Sequence, residues 1–330
     1  MHFAFSDEQL ALRDAVRDLL TKECPPSAVR AAWTNDSGRC PSAWDALTEM
    51  GVLGVLAPEG IGGLGLSEID LVLVLEETGR VALPEPIVET AAVAVPLLAR
   101  RDSERAAALV SGSSAAVVHA LAQHAVWADT AATIIVLGAA QCAAVAPETI
   151  ALSAVESVDG ARRLFGLDLT ASLPWATVQA GNNAEVDVAF DRAALGTAAQ
   201  LIGLADRMIE MTVAYATERR QFGVPIGSFQ AVKHHLANAR LALEFARPLV
   251  YRAAWTIAVD DPERAVAVSL AKASASDAAL LAGRVALQCH GAIGYTTEYD
   301  LHLFMKRAWA LAATWGDAAW HRARVGRAIL

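Results

Sequence analysis

Two rhythms of apolar and polar positions divide the chain. From the start to about residue 100, apolar positions fall at helical spacing between well-marked ends. Ser6 followed by Gln9 forms a capping box, in which each side chain satisfies an orphan N–H near a helix start, and Phe5 and Leu10 occupy the staple positions around it. That helix should run to about Glu23 and stop before Pro25-Pro26. A short helix over Ser42–Met50 should end at Gly51, and a glycine-rich connection follows at Gly60–Gly65. Ser67 and Asp70 cap a further helix that Gly79 should close, and another helix is expected over roughly Ile87 to Arg100. Between Val117 and Phe190 the rhythm changes. Short apolar runs (Thr133–Leu137, Ala151–Val155, Ala176–Val178, Val186–Phe190) alternate with Gly, Asn, Asp and Pro, as short strands do.

From Leu195 onward the helical period returns. Phe229, Val232, Leu236, Ala239, Leu243, Ala246 and Val250 recur at spacings of three and four, which puts one apolar stripe on one face of a bundle helix. Asp261, Pro262 and Glu263 should open a long helix reaching about Gln288, roughly 40 Å at ~1.5 Å per residue, ended by Gly291 and Gly294. A helix over about Glu298–Thr314 and a last one beyond Gly316-Asp317 complete the pattern. The expectation is a mostly α fold with a small β insert: a helical domain over 1–113, a reduced middle β domain over 114–192 and a helical bundle over 193–330.

Composition narrows the classes. The chain has 330 residues, 55% hydrophobic and 19% charged, which excludes a disordered chain. Its net charge of −9, with no Lys/Arg block, argues against nucleic acid. The most apolar run, Ala131–Ala146, is too short to span a membrane, and its β-branched cluster favours a buried strand. Without a basic n-region at the start, a cytoplasmic location is expected. Cys24, Cys40, Cys142 and Cys289 lack metal or disulfide spacing and read as reduced thiols. The neighbours His234-His235 point about 100° apart on a helix, so they do not share a metal, and His290 reads as a backbone-orienting group.

Three ordered stretches resemble the acyl-CoA dehydrogenase family. They are Trp44–Arg80, with MGVLGVLAPEGIGGLGL and LEETGR; Glu218–Gln230, with R-x-x-F-G-x-P-I-x-x-F-Q; and Gln288–Tyr299, with Q-C-H-G-A-I-G-Y. Read by itself, the second stretch is a basic helix end: Arg219 and Arg220 in the last turn, Gly223 as the residue just past it and Pro225 preventing continuation. Guanidinium donors beside an exposed aromatic suit a pyrophosphate and an adenine. The resemblance implies that Arg219, Gln221, Phe222 and Gln230 grip the FAD of a neighbouring subunit, and that Gln288 and Gly291 hold its adenosine end. Ala292 stands where the family has the last glycine of that turn, a departure at a close backbone approach.

The resemblance also implies a missing group. A family member needs a buried carboxylate to take the α-proton of the thioester. Counting from Gly294 to one family position lands on Trp315, and counting back from Arg219 to the other lands on Ala193. Neither accepts a proton. Asp191, Asp206, Glu210 and Asp317 are the nearby acids that could substitute. The segments that cover the flavin ring in the family are not found between Val117 and Phe190, and Trp127 and Trp175 read as core. The chain thus looks like the short non-catalytic subunit of a heteromeric (α2β2) bacterial acyl-CoA dehydrogenase of the steroid-CoA type. Its implied partners are a longer catalytic subunit, an acyl-CoA and an electron-transfer flavoprotein. A self-sufficient enzyme with a relocated acid and a flavin-free scaffold remain alternatives.

Overall fold

The computed structural model describes residues 4–119, 124–138, 141–168 and 183–330. Six helices form the N-terminal body: α1 (Asp7–Glu23), α2 (Pro26–Ala32), α3 (Pro41–Glu49), α4 (Glu68–Arg80), α5 (Val95–Leu98) and α6 (Ser103–Val110). Both expected capping boxes are made, Ser6 with Gln9 and Ser67 with Asp70. Phe5 packs edge-on to Tyr251 with centroids 4.9 Å apart. The segment ahead of α5, Val88–Ala94, is a π-helix.

Gly79 does not close α4; it lies buried inside it. A Cβ there would stand 2.1 Å from the Gln200 carbonyl oxygen, and one on Gly203 would stand 2.0 Å from that of Glu76. The two glycines let α4 and the helix carrying Gln200 cross backbone to backbone. Helix capping had suggested a terminator; close packing is the reason for the residue.

The middle region holds two small sheets. Strands β1 (Ala115–His119), β3 (Thr133–Leu137) and β4 (Cys142–Val145) form one, with β1 parallel and β4 antiparallel to β3. Strands β2 (His124–Val126), β5 (Leu152–Val155) and β6 (Leu164–Leu167) form the other, in the order β2-β6-β5. Alternate residues of the first sheet face opposite ways. Val117, Ile135 and Leu137 join the helical core, whereas Val118, Ile134 and Val136 pack on Phe165 and Leu167 of the second sheet. A sheet buried on both faces needs a continuous apolar run, which explains Thr133–Leu137. Ala176–Val178 and Trp175 lie outside the described residues. Trp127 is core, as expected, and its indole donates to the Gly38 carbonyl.

Val186–Phe190 is not a strand. It belongs to α7 (Asn183–Glu218), a 36-residue helix that begins upstream of the expected boundary at 193. Five alternating residues fit either period, and packing against the core selects the helix. The chain continues through a two-stranded hairpin, β7 (Arg220–Gln221) and β8 (Val224–Pro225). Then come α8 (Gln230–Ala258), α9 (Arg264–His290), α10 (Leu301–Ala313) and α11 (Ala318–Ile329).

Helix α9 has the length and apolarity of a membrane span, but it packs against α7, α8, α10 and α11. It starts at Arg264 rather than at Pro262: Asp261 caps a preceding turn by accepting from the Glu263 N–H. Asp191 of α7 pairs with Arg264 at the start of α9, and Tyr215 of α7 stacks on His290 at its end. Those contacts make α7 and α9 parallel. Arg240 and Arg247 of α8 reach back to Asp206 of α7, so α8 runs antiparallel.

Candidate functional site

The bundle directions collect the six candidate residues at one end. Arg219 leaves the C-terminus of α7, Gln221 and Phe222 lie on the hairpin, Gln230 opens α8, and Gln288 and Gly291 end α9. All six are exposed. The local geometry departs from the sequence expectation. Helix α7 stops at Glu218, so neither arginine is in its last turn, and Gly223 is not the residue just past a helix. The pairings Arg220–Pro225 and Gln221–Val224 make Phe222-Gly223 a two-residue hairpin turn.

Both turn residues have positive φ, 53° at Phe222 and 82° at Gly223. This is the turn geometry that suits strand twist, but it normally takes Asn, Asp or Gly at the first position. A phenylalanine held there stores on the order of 1 kcal/mol of strain. Its ring gains little packing in return, being 91% exposed, with one edge-on contact to Phe229. A strained, exposed aromatic marks a surface shaped to contact something else. No carboxylate pairs with Arg219 among the described residues, and a Cβ at Gly291 would meet open space. Unspent guanidinium donors, an exposed ring and an open glycine suit the pyrophosphate and adenine of a dinucleotide. The apolar stripe of α8 is buried from Ala239 through Val250, but Phe229, Val232 and Leu236 at this same end are not fully covered.

The other end of α7 borders a cavity of about 470 Å³ between the β region and the bundle. Phe190, Trp315 and Trp320 form its aromatic wall, Phe190 lying 5.9 and 5.3 Å from the two tryptophans. From Phe190 to Glu218 the helix rises roughly 40 Å at ~1.5 Å per residue. That is further than one dinucleotide extends, so the exposed end and the cavity are two separate places on the chain.

Trp315, where counting along the sequence expects one family position for the base, lines this cavity. Its backbone has a positive φ of 57° and is pinned from two sides. His321 Nε2 lies 2.9 Å from the Trp315 carbonyl oxygen, and Lys272 Nζ donates to the carbonyls of Ala312 and Gly316. Burial lowers the Lys272 pKa to about 7 and that of His321 to about 4. Ala193, the other position, is fully buried in α7.

None of the four substitute acids lines the cavity. Asp191 pairs with Arg264 and Arg324 at 3.0 and 2.6 Å. Asp206 pairs with Arg80, Arg240 and Arg247, Glu210 with Arg80, and Asp317 caps α11. Their charges are committed to holding helices. Two acids do line the cavity, the exposed Glu156 and, buried on the π-helix, Glu89. Sequence reading missed Glu89, although a single carboxylate in the run Ile87–Val95 was a signal, since buried charge is costly unless it has a use.

Two helical bodies around a small double sheet, with a cavity at their junction, define the class, and the chain belongs to the acyl-CoA dehydrogenase family. The family model for the acyl-CoA dehydrogenase N-terminal domain matches residues 6–107, and that for the C-terminal domain matches 185–330. Among individual relatives, acyl-CoA dehydrogenase IpdE2 of Mycolicibacterium smegmatis is 33% identical over 92% of this chain and 93% of its own. Acyl-CoA dehydrogenase FadE34 of Mycobacterium tuberculosis is 30% identical over 95% of this chain, which spans 47% of that protein. A chain of the ChsE4-ChsE5 complex from Mycobacterium tuberculosis shares the fold, with a TM-score of 0.90 at 23% identity over 99% of this chain and 98% of that one.

Proposed function

We propose that this chain is the non-catalytic subunit of a heteromeric, FAD-dependent acyl-CoA dehydrogenase, and that it completes the FAD site of a longer catalytic partner. The observation that carries the reading is the separation along α7. The dinucleotide grip is solvent-facing at one end, and the cavity, with tryptophan at the family's base position, is at the other. In this role Arg219 donates to the pyrophosphate, Phe222 packs on the adenine, and Gln221 and Gln230 fix the grip. Gln288 and Gly291 hold the adenosine end, with Ala292 beside them as the departure from the family. Bound FAD supplies the hydride acceptor for α,β-dehydrogenation of the acyl-CoA, and the partner brings the base. A steroid-derived acyl group and an electron-transfer flavoprotein as acceptor fit the same reading. Its similarity to a chain of the ChsE4-ChsE5 complex supports an unlike partner. The cavity acid Glu89 favours one second reading, a self-sufficient enzyme; there E89Q would abolish turnover by the chain alone.

The test uses the complex co-expressed with its longer relative. Arg219→Ala removes a charged donor, worth roughly tenfold or more in flavin affinity. Phe222→Gly should also lower flavin retention, while raising the stability of the chain itself by about 1 kcal/mol through relief of the left-handed strain. Flavin per complex, read by absorbance after desalting, reports the outcome. Full occupancy in both variants would contradict the assignment, and a wild-type complex without flavin would make the chain a scaffold.

A further inference from the structure

The end of α1 and the start of α3 bring two thiols together inside the N-terminal body. Cys24 follows the last residue of α1, Cys40 precedes the first of α3, and both are buried in the same apolar cluster. Cys40 Sγ lies 3.5 Å from the Glu23 carbonyl oxygen, and the Ser42 hydroxyl donates to that same oxygen. Helix α3 thus begins against the residue before Cys24. The two side chains meet, the Cys24 thiol donating to the Cys40 sulfur, and both are free thiols.

The two sulfurs are not equivalent. The hydrogen bond from Cys24, helped by Ser42, lowers the Cys40 pKa to about 6 against the opposing effect of burial. The same hydrogen bond and burial raise that of Cys24. The thiolate is the nucleophilic form, so Cys40 is the attacking sulfur and Cys24 the resolving one. The charged groups facing the pair are Glu23 of α1, Glu85 ahead of the π-helix and Arg307 of α10, and Arg39 is paired with Glu85. Cys40 is 6% exposed beside the exposed Ser42, and a cavity of about 150 Å³ lined by Arg17, Arg80 and Arg207 reaches Cys24. Openings of this size suit hydrogen peroxide, which is little larger than water.

The segment between the thiols carries α2, and α2 is tied to α10. Arg30 donates to the Thr297 carbonyl and the Asp300 carboxylate, and Trp33 packs edge-on to His302 with centroids 5.1 Å apart. A bond between Cys24 and Cys40 would close this segment into a loop and restrict the unfolded chain.

We propose that Cys24 and Cys40 form a reversible disulfide, made by hydrogen peroxide, that fastens α2 in place against α10. Cys40 gives up its proton, and its sulfur attacks one peroxide oxygen. The O–O bond breaks, and the leaving oxygen takes up the proton and departs as water. The Cys24 sulfur then attacks the resulting sulfenic sulfur. The S–O bond breaks, and the hydroxyl leaves as a second water with the Cys24 proton. Two thiols lose two electrons and the peroxide gains them; a dithiol reductant restores the pair.

The test uses the full-length chain in a Cys289→Ala background, because among the four cysteines only Cys289 is not buried. After treatment with hydrogen peroxide, free thiols are counted in denaturant and the mass is read in parallel. The count should fall from three to one, with the loss of two hydrogens and full recovery in dithiothreitol. Trypsin cuts after Arg30 and Arg39, between the two cysteines. Without reduction, the peptides holding Cys24 and Cys40 should therefore travel as one linked pair. The rate of thiol loss should be half-maximal near pH 6, where Cys40 ionises. The oxidised chain should melt about 5 °C above the reduced one. Cys24→Ala and Cys40→Ala should each abolish the linked pair and the rise in melting temperature. Oxidation to sulfinic acid without a link, a link through Cys142, or an oxidised chain that melts no higher than the reduced one would overturn the proposal.

Discussion

Gly79→Ala lowers the folding stability of this chain by about 2 kcal/mol. Two effects compete at the position. Alanine inside a helix gains about 1 kcal/mol over glycine. Against that, the new methyl would stand 2.1 Å from the Gln200 carbonyl oxygen and 2.6 Å from its Cα. These are backbone atoms, so no side chain can swing away, and the helices must separate. Overpacking of this kind costs 1–3 kcal/mol or more, and separation also weakens the reciprocal contact of Gly203 with Glu76. The steric term wins. A urea titration of wild type and variant checks it through the midpoint; an unchanged or raised midpoint would show that the crossing has slack.

The second large effect is acid sensitivity through His321. The side chain is fully buried, with its nitrogens 3.1 Å from Ser269 Oγ and 2.9 Å from the Trp315 carbonyl oxygen. Burial, with Lys272 and Arg324 nearby, lowers its pKa from 6.5 to about 4. The unfolded chain therefore takes up the proton first. Stability from this group is complete above pH 6.5, falls as the pH drops, and levels off below about 4. The shift corresponds to roughly 3 kcal/mol. Denaturant titrations at pH 7 and pH 4 should show His321→Gln losing about that much less than wild type over the same interval. An equal acid loss in both proteins would assign it to other groups.

Local chemistry made much of the fold legible. The capping boxes at Ser6 and Ser67 place two helix starts, and Gly51, with a φ of 80°, ends α3 as its position suggested. The β-branched run at 133–137 is a strand because both of its faces are buried. Failures came where packing decides. Gly79 serves a crossing that only the folded partner reveals. Val186–Phe190 was too short for its period to choose between strand and helix.

The candidate site divides in the same way. The six candidate residues were read as motifs, but their convergence at one end of the bundle depends on the parallel and antiparallel directions of α7, α8 and α9. The left-handed turn at Phe222 was not foreseen, because sequence preference puts small residues there. The proposed substitute acids were close in sequence to the right elements, yet arginines hold each of the first three. Glu89 was overlooked because it comes from the N-terminal body and reaches the cavity only through tertiary packing.

The central claim is that the grip serves a flavin lodged in another chain. The most direct measurement is the visible spectrum and acyl-CoA oxidation of this chain purified alone, set beside its complex with a longer relative. The account predicts a colourless, inactive single chain and a yellow complex that loses its flavin when Arg219 is replaced by alanine. A single chain that retains stoichiometric flavin and oxidises acyl-CoA would contradict it.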